Sequence, residues 1–203
     1  MKVGPKYKIA KRLGASVFEK TQTQKFALAM ERKAPKRTGG RRGQTEYGKQ
    51  LLEKQKVRVT YGLSESQFAK YVAVAMASHG TVPAEVLHRQ LELRLDNVIY
   101  RLGLAPTRRA ARQMVSHGHV TVNGKKSTIP SQAIKIGDRI AVRDGSKGRA
   151  YFEGFQERFM ERPLPNWLSW NPKSMEGGVT ALPPMEVTDT AGDLAAVLSF
   201  YSR

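Results

Sequence analysis

Arg94, Asn97 and Arg101 stand at i, i+3 and i+7, the spacing that lines one side of a helix, and Arg108, Arg109, Arg112 and Gln113 follow on a second short segment. Guanidiniums carried on helices bind phosphate oxygens through two parallel hydrogen bonds. His117 and His119 add ring nitrogens, and Lys125 and Lys126 add charge at a hairpin tip. A second set, Lys49, Lys54, Lys56 and Arg58, has long stems that can cover a core edge while the heads reach phosphates. Lys11 and Arg12, within GPKYKIAKRLG, make a third. These residue types share one chemistry, recognition of a phosphate backbone, and a structured RNA would be read mainly by its shape. The roughly 60 residues after Val142 contain no convergent acid, base and nucleophile set, and no residue is assigned a catalytic role.

The charge balance points the same way. Lys+Arg number 35 against 17 Asp+Glu, a formal net charge of +18, and such an excess attracts polyanions. Residues 1–60 hold 17 cations against 4 Glu, residues 61–93 are net −1, residues 94–150 hold 12 against 3, and residues 151–203 are net −3. Two basic blocks around a near-neutral stretch suggest two RNA-facing surfaces joined by a packed helical core, rather than a uniformly solvated basic surface. An apolar fraction of 40% over 203 residues suffices for one large core or two small ones. No apolar run approaches the ~20 residues of a membrane span, and no apolar signal core follows the Lys-rich start, so no membrane partner is expected. The chain has no cysteine and four scattered histidines, so neither disulfide nor metal is expected and no cofactor is assigned.

The elements that must position these cations can be read along the chain. Residues 1–43 combine Gly, Pro and cations with little apolar periodicity and are expected to form an extended basic arm, kept open by repulsion among Arg32, Lys33, Lys36, Arg37, Arg41 and Arg42. Tyr7, Phe18, Phe26 and Tyr47 among them offer rings for stacking on bases, although anchoring an arm to its own protein is the commoner role. From Glu46 to about Ala77 the pattern is helical, with Gly62 as a stop and Phe68, Tyr71, Val72, Ala75 and Met76 on a core face. Pro83 to Leu102 reads as one helix that buries Leu87, Leu91, Leu95, Val98 and Leu102 and turns Arg94, Asn97 and Arg101 to another face. Gly103 ends it and Thr107 caps the next helix, whose Ala111, Met114 and Val115 face inward. After Gly118 the period changes to 2, Asn123-Gly124 is a hairpin turn, and Ile134, Ile136, Ile140 and Val142 supply strand faces. Trp167, Trp170, Gly177-Gly178 and Pro183-Pro184 suggest a loop-rich return, closed by a short helix from Leu194 to Tyr201. The two tryptophans are expected to anchor that loop rather than to bind a base.

Two decoys stand among these signals. Gly43, Gly48 and Lys49 have the spacing of a phosphate-cradling loop, but Gln50 occupies the place of the magnesium-binding hydroxyl and no strand precedes it. His117 and His119 have the spacing of a metal pair, yet no Cys or carboxylate lies near in sequence; they read as a helix end and a strand start.

Residues 94–142 resemble the RNA-binding fold named after ribosomal protein S four, and the flanks resemble the universal S-four family itself. The motifs that carry this are GPKYKIAKRLG at 4–14, YGKQLLEKQKVRVTYGLSESQFAKY at 47–71, RLDNVIYRLG at 94–103, VSHGHVTVNG at 115–124 and SFYSR at 199–203. The central fold also occurs in pseudouridine synthases, tyrosyl-tRNA synthetase and a heat-shock RNA-binding protein, so the segment at 47–71 is the more specific. The resemblance implies an α+β fold: a helical domain at 44–91 plus 180–203, an inserted domain at 92–179 with two helices packed on a small, mainly antiparallel sheet, the RNA-binding fold at 94–143, and the extended basic arm at 1–43.

The resemblance further implies a structural component of the small ribosomal subunit, a primary binder of small-subunit (16S-type) ribosomal RNA that nucleates assembly of the subunit body at a multi-helix junction. Its neighbours would be small-subunit ribosomal proteins, notably ribosomal protein S five, at whose interface the family contributes to translational accuracy. Neither DNA nor a membrane would be a partner, and the setting would be a ribosome in the cytoplasm or an organelle. Two departures stand out: the arm lacks the zinc-binding cysteines of some members, and PKRTGGRRGQ at 35–44 replaces the usual P-G-Q-H-G signature. The segment from Leu182 to Ala196 is also atypical. Two other readings use the same fold, a free-standing RNA chaperone and an RNA-modifying enzyme. The former leaves residues 1–93 unexplained, and the latter needs a catalytic domain for which the roughly 60 residues after Val142 are too few. Replacing Arg108 and Arg112 together with Ala is expected to weaken RNA binding and lower the slope of log K against log salt by ~0.9 for each phosphate that the protein ceases to neutralise on duplex-like RNA. An unchanged slope in a filter-binding salt series would place both side chains away from phosphates.

Overall fold

The computed structural model describes residues 3–32, 45–148, 164–185 and 191–202. The chain divides into two compact units, Met1–Leu87 with Glu186–Arg203, and His88–Met185.

In the first unit, α1 (Lys6–Leu13) and α2 (Gln24–Glu31) are joined through short turns at Ala15–Val17 and Glu19–Thr21. This corrects the expectation of an extended arm for the part of it that is described. Ala10, Leu13, Val17, Phe18 and Phe26 bury themselves together with Val59, and the Thr23 hydroxyl caps α2 by accepting from the Phe26 N–H. The cluster takes a few apolar residues from each of several short segments and completes itself with Val59 from outside the arm. No single segment therefore carries a readable period. Phe18 and Phe26 are core residues, whereas Tyr7 and Tyr47 remain about half exposed. Lys33, Lys36, Arg37, Arg41, Arg42 and the stretch 35–44 lie outside the described residues.

The expected helices follow as α3 (Glu46–Thr60) and α4 (Glu65–Met76), each with a hydroxyl cap: Thr45 accepts from the Gly48 N–H and Ser64 from the Gln67 N–H. On α4, Phe68, Val72 and Ala75 are buried and Tyr71 is partly buried, whereas Met76, expected on the same core face, is the last residue of the helix and is exposed. Gly48 and Lys49 lie in the first turn of α3, a helix rather than a phosphate loop. The expected closing helix, here α9 (Leu194–Tyr201), packs on α3 and α4 and is capped by Asp193, whose own N–H donates to Glu53 Oε2 at 2.8 Å.

The helix expected over Pro83 to Leu102 is two, α5 (Pro83–Glu92) and α6 (Leu95–Arg101). Leu93 and Arg94 leave the helix because their backbone pairs elsewhere. Ile134 N–H donates to Leu93 O at 2.8 Å, Leu95 N–H to Gln132 O at 2.9 Å and Asp96 N–H to Pro130 O at 3.0 Å, around an isolated bridge between Arg94 and Ala133. Bonds from a segment some forty residues on, in place of local i→i−4 bonds, leave no mark on the apolar spacing.

In the second unit, α7 (Arg108–Ser116) begins at the Thr107 cap and stops at Gly118, whose φ of 71° suits glycine. β1 (Val120–Val122) and β2 (Lys125–Ser127) form the hairpin, with φ positive at both Asn123 and Gly124. β3 (Arg139–Val142) is followed by the single-turn α8 (Asp144–Lys147), and β4 (Leu168–Asn171) and β5 (Glu176–Val179) complete a five-stranded antiparallel sheet in the order β2-β1-β3-β5-β4. The fold class is therefore α+β, as expected.

The loop-rich return expected at Trp167–Gly178 is corrected, since β4 and β5 form a hairpin of that sheet. Gly177 and Gly178 read as breaks in sequence, but here they admit neighbouring backbone: a Cβ on Gly178 would lie 2.7 Å from Asp138 O, and one on Gly177 would strike Ser169 O. Ile136, expected on a strand face, sits in the turn before β3 and is 54% exposed. Ile134, Ile140 and Val142 join Leu95, Val98, Ile99, Leu102 and Val115 in the core between sheet and helices, sealed by Trp167. Replacing the fully buried Ile99 with Ala is expected to cost about 3 kcal/mol of unfolding free energy, measured by urea denaturation.

Candidate nucleic-acid interface

The cations of α6 and α7 surround two buried carboxylates. Asp96, 4% exposed, accepts from Arg94 Nε at 3.0 Å and Nη2 at 2.9 Å, and its Oδ2 also accepts from Arg112 Nε at 2.8 Å and Nη2 at 2.7 Å. Glu92, 1% exposed, accepts from Arg101 Nε at 2.7 Å and Nη2 at 3.0 Å and from Asn97 Nδ2 at 2.9 Å. Asn97 Oδ1 in turn accepts from Arg108 Nε at 2.8 Å, and the Arg108 guanidinium lies 4.4 Å from the centre of the Tyr100 ring. A buried charge is stable only when paired and hydrogen-bonded, and each carboxylate here meets that condition.

This arrangement sorts the residues singled out from the sequence. Arg94 and Asn97 are buried and turn inward, which corrects the expectation that they line an outer cationic face. The reason is the break before α6: Arg94 is the residue preceding the first turn, not a mid-helix position. Arg101, Arg108 and Arg112 are partly exposed at the edge of the same network, and Arg109 and Gln113 are exposed beside them. His117 caps α7 and is exposed; His119, just before β1, bonds Ser146 Oγ through Nδ1 at 3.0 Å, and the two rings lie 6.1 Å apart. Lys125 and Lys126 are exposed on β2, and the Lys126 side chain crosses Gly118, so the hairpin's charge lies against the end of α7. Glu92, Asp96 and Tyr100 escaped the sequence reading. The available signal was two acids, each two residues from Arg94, at the start of a strongly basic block.

The first unit carries the other sets. Lys11 and Arg12 are exposed in the last turn of α1. On α3, Lys49 and Lys56 make i,i+3 pairs with Glu46 and Glu53 at 3.5 and 3.6 Å, and such pairs near solvent are weak enough to yield to phosphate. Arg58 Nε lies 3.3 Å from Glu65 Oε2 with its side chain 24% exposed. Lys54 is corrected: its side chain is 11% exposed, bonded to Glu65 Oε1 at 2.7 Å and placed 4.5 Å from the centre of the Phe200 ring. Helical spacing put Lys54 with its neighbours, but α9 covers that side of α3. Tyr201 donates to the same Glu65 oxygen at 2.6 Å. Burial pushes the Glu65 carboxyl up, but the bonds from Lys54 and Tyr201 with the charges of Lys54 and Arg58 outweigh it and hold it below its ordinary 4.5. The Tyr201 hydroxyl is pushed up by burial, then by its bond to Glu65 and the negative charge there.

Comparison with known proteins finds two family models along the chain. Residues 2–92 match the ribosomal protein S4/S9 N-terminal domain and residues 93–140 the S4 domain. The chain is 43% identical to the small ribosomal subunit protein uS4 of Roseiflexus castenholzii over 206 aligned positions, covering 99% of this chain and 98% of the relative. It belongs to the uS4 family. The same-named proteins of Acetivibrio thermocellus, at 41% identity with 98% of each chain covered, and of Chloroflexus aurantiacus, at 40% with 99% and 98% covered, extend the match.

The Tyr201–Glu65–Lys54 contact makes a stability prediction. Tyr201→Phe is expected to cost about 1 kcal/mol, less than a buried bond to a charged acceptor because Glu65 is half exposed. Because the folded-state Glu65 pKa is depressed, its contribution is complete above the ordinary 4.5 and is lost as pH falls through the lower folded value. Urea midpoints of wild type and Tyr201→Phe are thus expected to differ at pH 7 and to converge in acid.

Proposed function

We propose that the chain is a structural component of the small ribosomal subunit, a primary binder of small-subunit (16S-type) ribosomal RNA that nucleates assembly of the subunit body and contributes to translational accuracy. The observation that carries this reading is end-to-end kinship, 41–43% identity over nearly the whole chain with proteins named small ribosomal subunit protein uS4. The net charge of +18 supports a phosphate-rich partner. The RNA-facing residues in this reading are Lys11, Arg12, Lys49, Lys56 and Arg58 in one unit and Arg101, Arg108, Arg109, Arg112, Gln113, His117, His119, Lys125 and Lys126 in the other. Arg94, Asn97 and Lys54 act from within. The neighbours are other small-subunit proteins, notably ribosomal protein S five, and the setting is the cytoplasmic ribosome. The role is not enzymatic.

The test is binding of the full chain to bacterial small-subunit ribosomal RNA across a salt series, with an equal-length unrelated structured RNA as competitor. Binding that survives the competitor and co-sediments with small subunits is expected. Equal affinity for both RNAs would replace this reading with that of a general RNA chaperone.

A further inference from the structure

We propose that Glu92 and Asp96 are positioning residues for RNA selectivity: these two buried acids hold the guanidiniums of Arg101, Arg108 and Arg112 in fixed orientations, and the preference for one structured RNA depends on them. The inference rests on the RNA-binding reading above and deepens it.

Three observations carry it. First, the acids lie beneath the cations. Glu92 and Asp96 are 1% and 4% exposed, whereas the Arg101 and Arg112 side chains are 16% and 29% exposed. Second, each partly exposed guanidinium is held at Nε, the atom that sets the plane of the fork, and Arg101 and Arg112 are held at Nη2 as well. Arg108 is held through a relay. Asn97 Nδ2 donates to both Glu92 O at 3.1 Å and Glu92 Oε2 at 2.9 Å, so its Oδ1 is left to accept from Arg108. The Tyr100 ring supports the same guanidinium from its face. Third, Asp96 takes the Arg112 guanidinium as well, although the Arg94 fork already pairs it. Buried ion pairs are poor stabilisers compared with well-packed apolar groups. A free arginine loses much rotamer freedom on meeting a phosphate, and one already held loses less.

The sign of the expected effect separates this from simple electrostatics. Removing a carboxylate makes the protein more positive and strengthens attraction to any polyanion. Positioning predicts instead that the matched RNA is bound more weakly. Glu92→Gln and Asp96→Asn, made separately in the full chain, are therefore expected to weaken binding to bacterial small-subunit ribosomal RNA by roughly threefold to tenfold for each side chain released. Binding to an equal-length unrelated RNA is expected to stay the same or tighten. Asp96→Asn is expected to add nothing further to the RNA-binding loss in an Arg112→Ala background, because it acts through that arginine.

Thermal melts monitored by circular dichroism fix a temperature at which every variant is folded, and the two acids serve separate centres, so one variant suffices if the other does not fold. Tighter binding of both RNAs by the variants would reduce the acids to charge alone and overturn the proposal. So would a parallel loss for both RNAs, or an undiminished effect of Asp96→Asn without Arg112, which would mark a purely structural role. If wild type itself shows no preference between the two RNAs, the ribosomal reading fails, and the proposal with it. A selective wild type with unaltered variants overturns the positioning proposal alone.

Discussion

Asp96 Oδ2 accepts from two guanidiniums at once, Arg94 at 2.9 Å and Arg112 at 2.7 Å, in a place where water cannot take the role of either. A carboxylate so enclosed can exist only with its cations in place, and the cations can gather only around it. The pair therefore ties the start of α6 to the exposed side of α7. The Asp96 backbone N–H meanwhile donates to Pro130 O, binding the same residue to the segment that leads into Ile134. Helix, helix and sheet connection meet at this one residue, and Glu92 repeats the device one turn earlier with Arg101 and Asn97.

Around this polar seam the apolar packing is conventional. Leu95, Val98, Ile99 and Leu102 on α6 and Ala111, Met114 and Val115 on α7 face Val120, Ile140 and Val142 of the sheet. The core sets which sides of the two helices turn inward. Each helix is consequently left with its arginine-bearing edge at the boundary between core and solvent, where a guanidinium can be held by a buried acid and still meet a phosphate. The β4–β5 hairpin widens the sheet and brings Trp167 and Leu168 over the same core.

The first unit uses a similar device. α9 returns to α3 and α4, and Glu65 gathers Lys54, Arg58 and Tyr201 where the three helices meet. One of the cations of α3 is thereby committed to internal structure, while Lys49 and Lys56, whose partners lie on the same helix face near solvent, keep their reach. Equal spacing along a helix does not mean equal availability, because the neighbour that covers one side comes from the far end of the chain.

Local chemistry was legible without the structure. Hydroxyl caps at Thr107, the hairpin at Asn123-Gly124, the stops at Gly62 and Gly118, the closing helix and the basic blocks depend on residues a few positions apart or on composition, and each is visible in the order of side chains. The sequence by itself determined a basic α+β protein whose helices carry cations beside a short hairpin. Only the tertiary structure decided which cations face outward. Arg94 and Asn97 turned inward because bonds from residues 130–134 break the helix before them, Lys54 because α9 covers it, and Phe18 and Phe26 because Val59 completes their cluster. Gly177 and Gly178 became strand because their backbone pairs with Ile140 and Arg139 of β3, an approach that glycine admits. In each case the deciding partner lies far away in sequence, and a period of 2 or 3.6 records which side of an element is apolar, not what arrives to cover it.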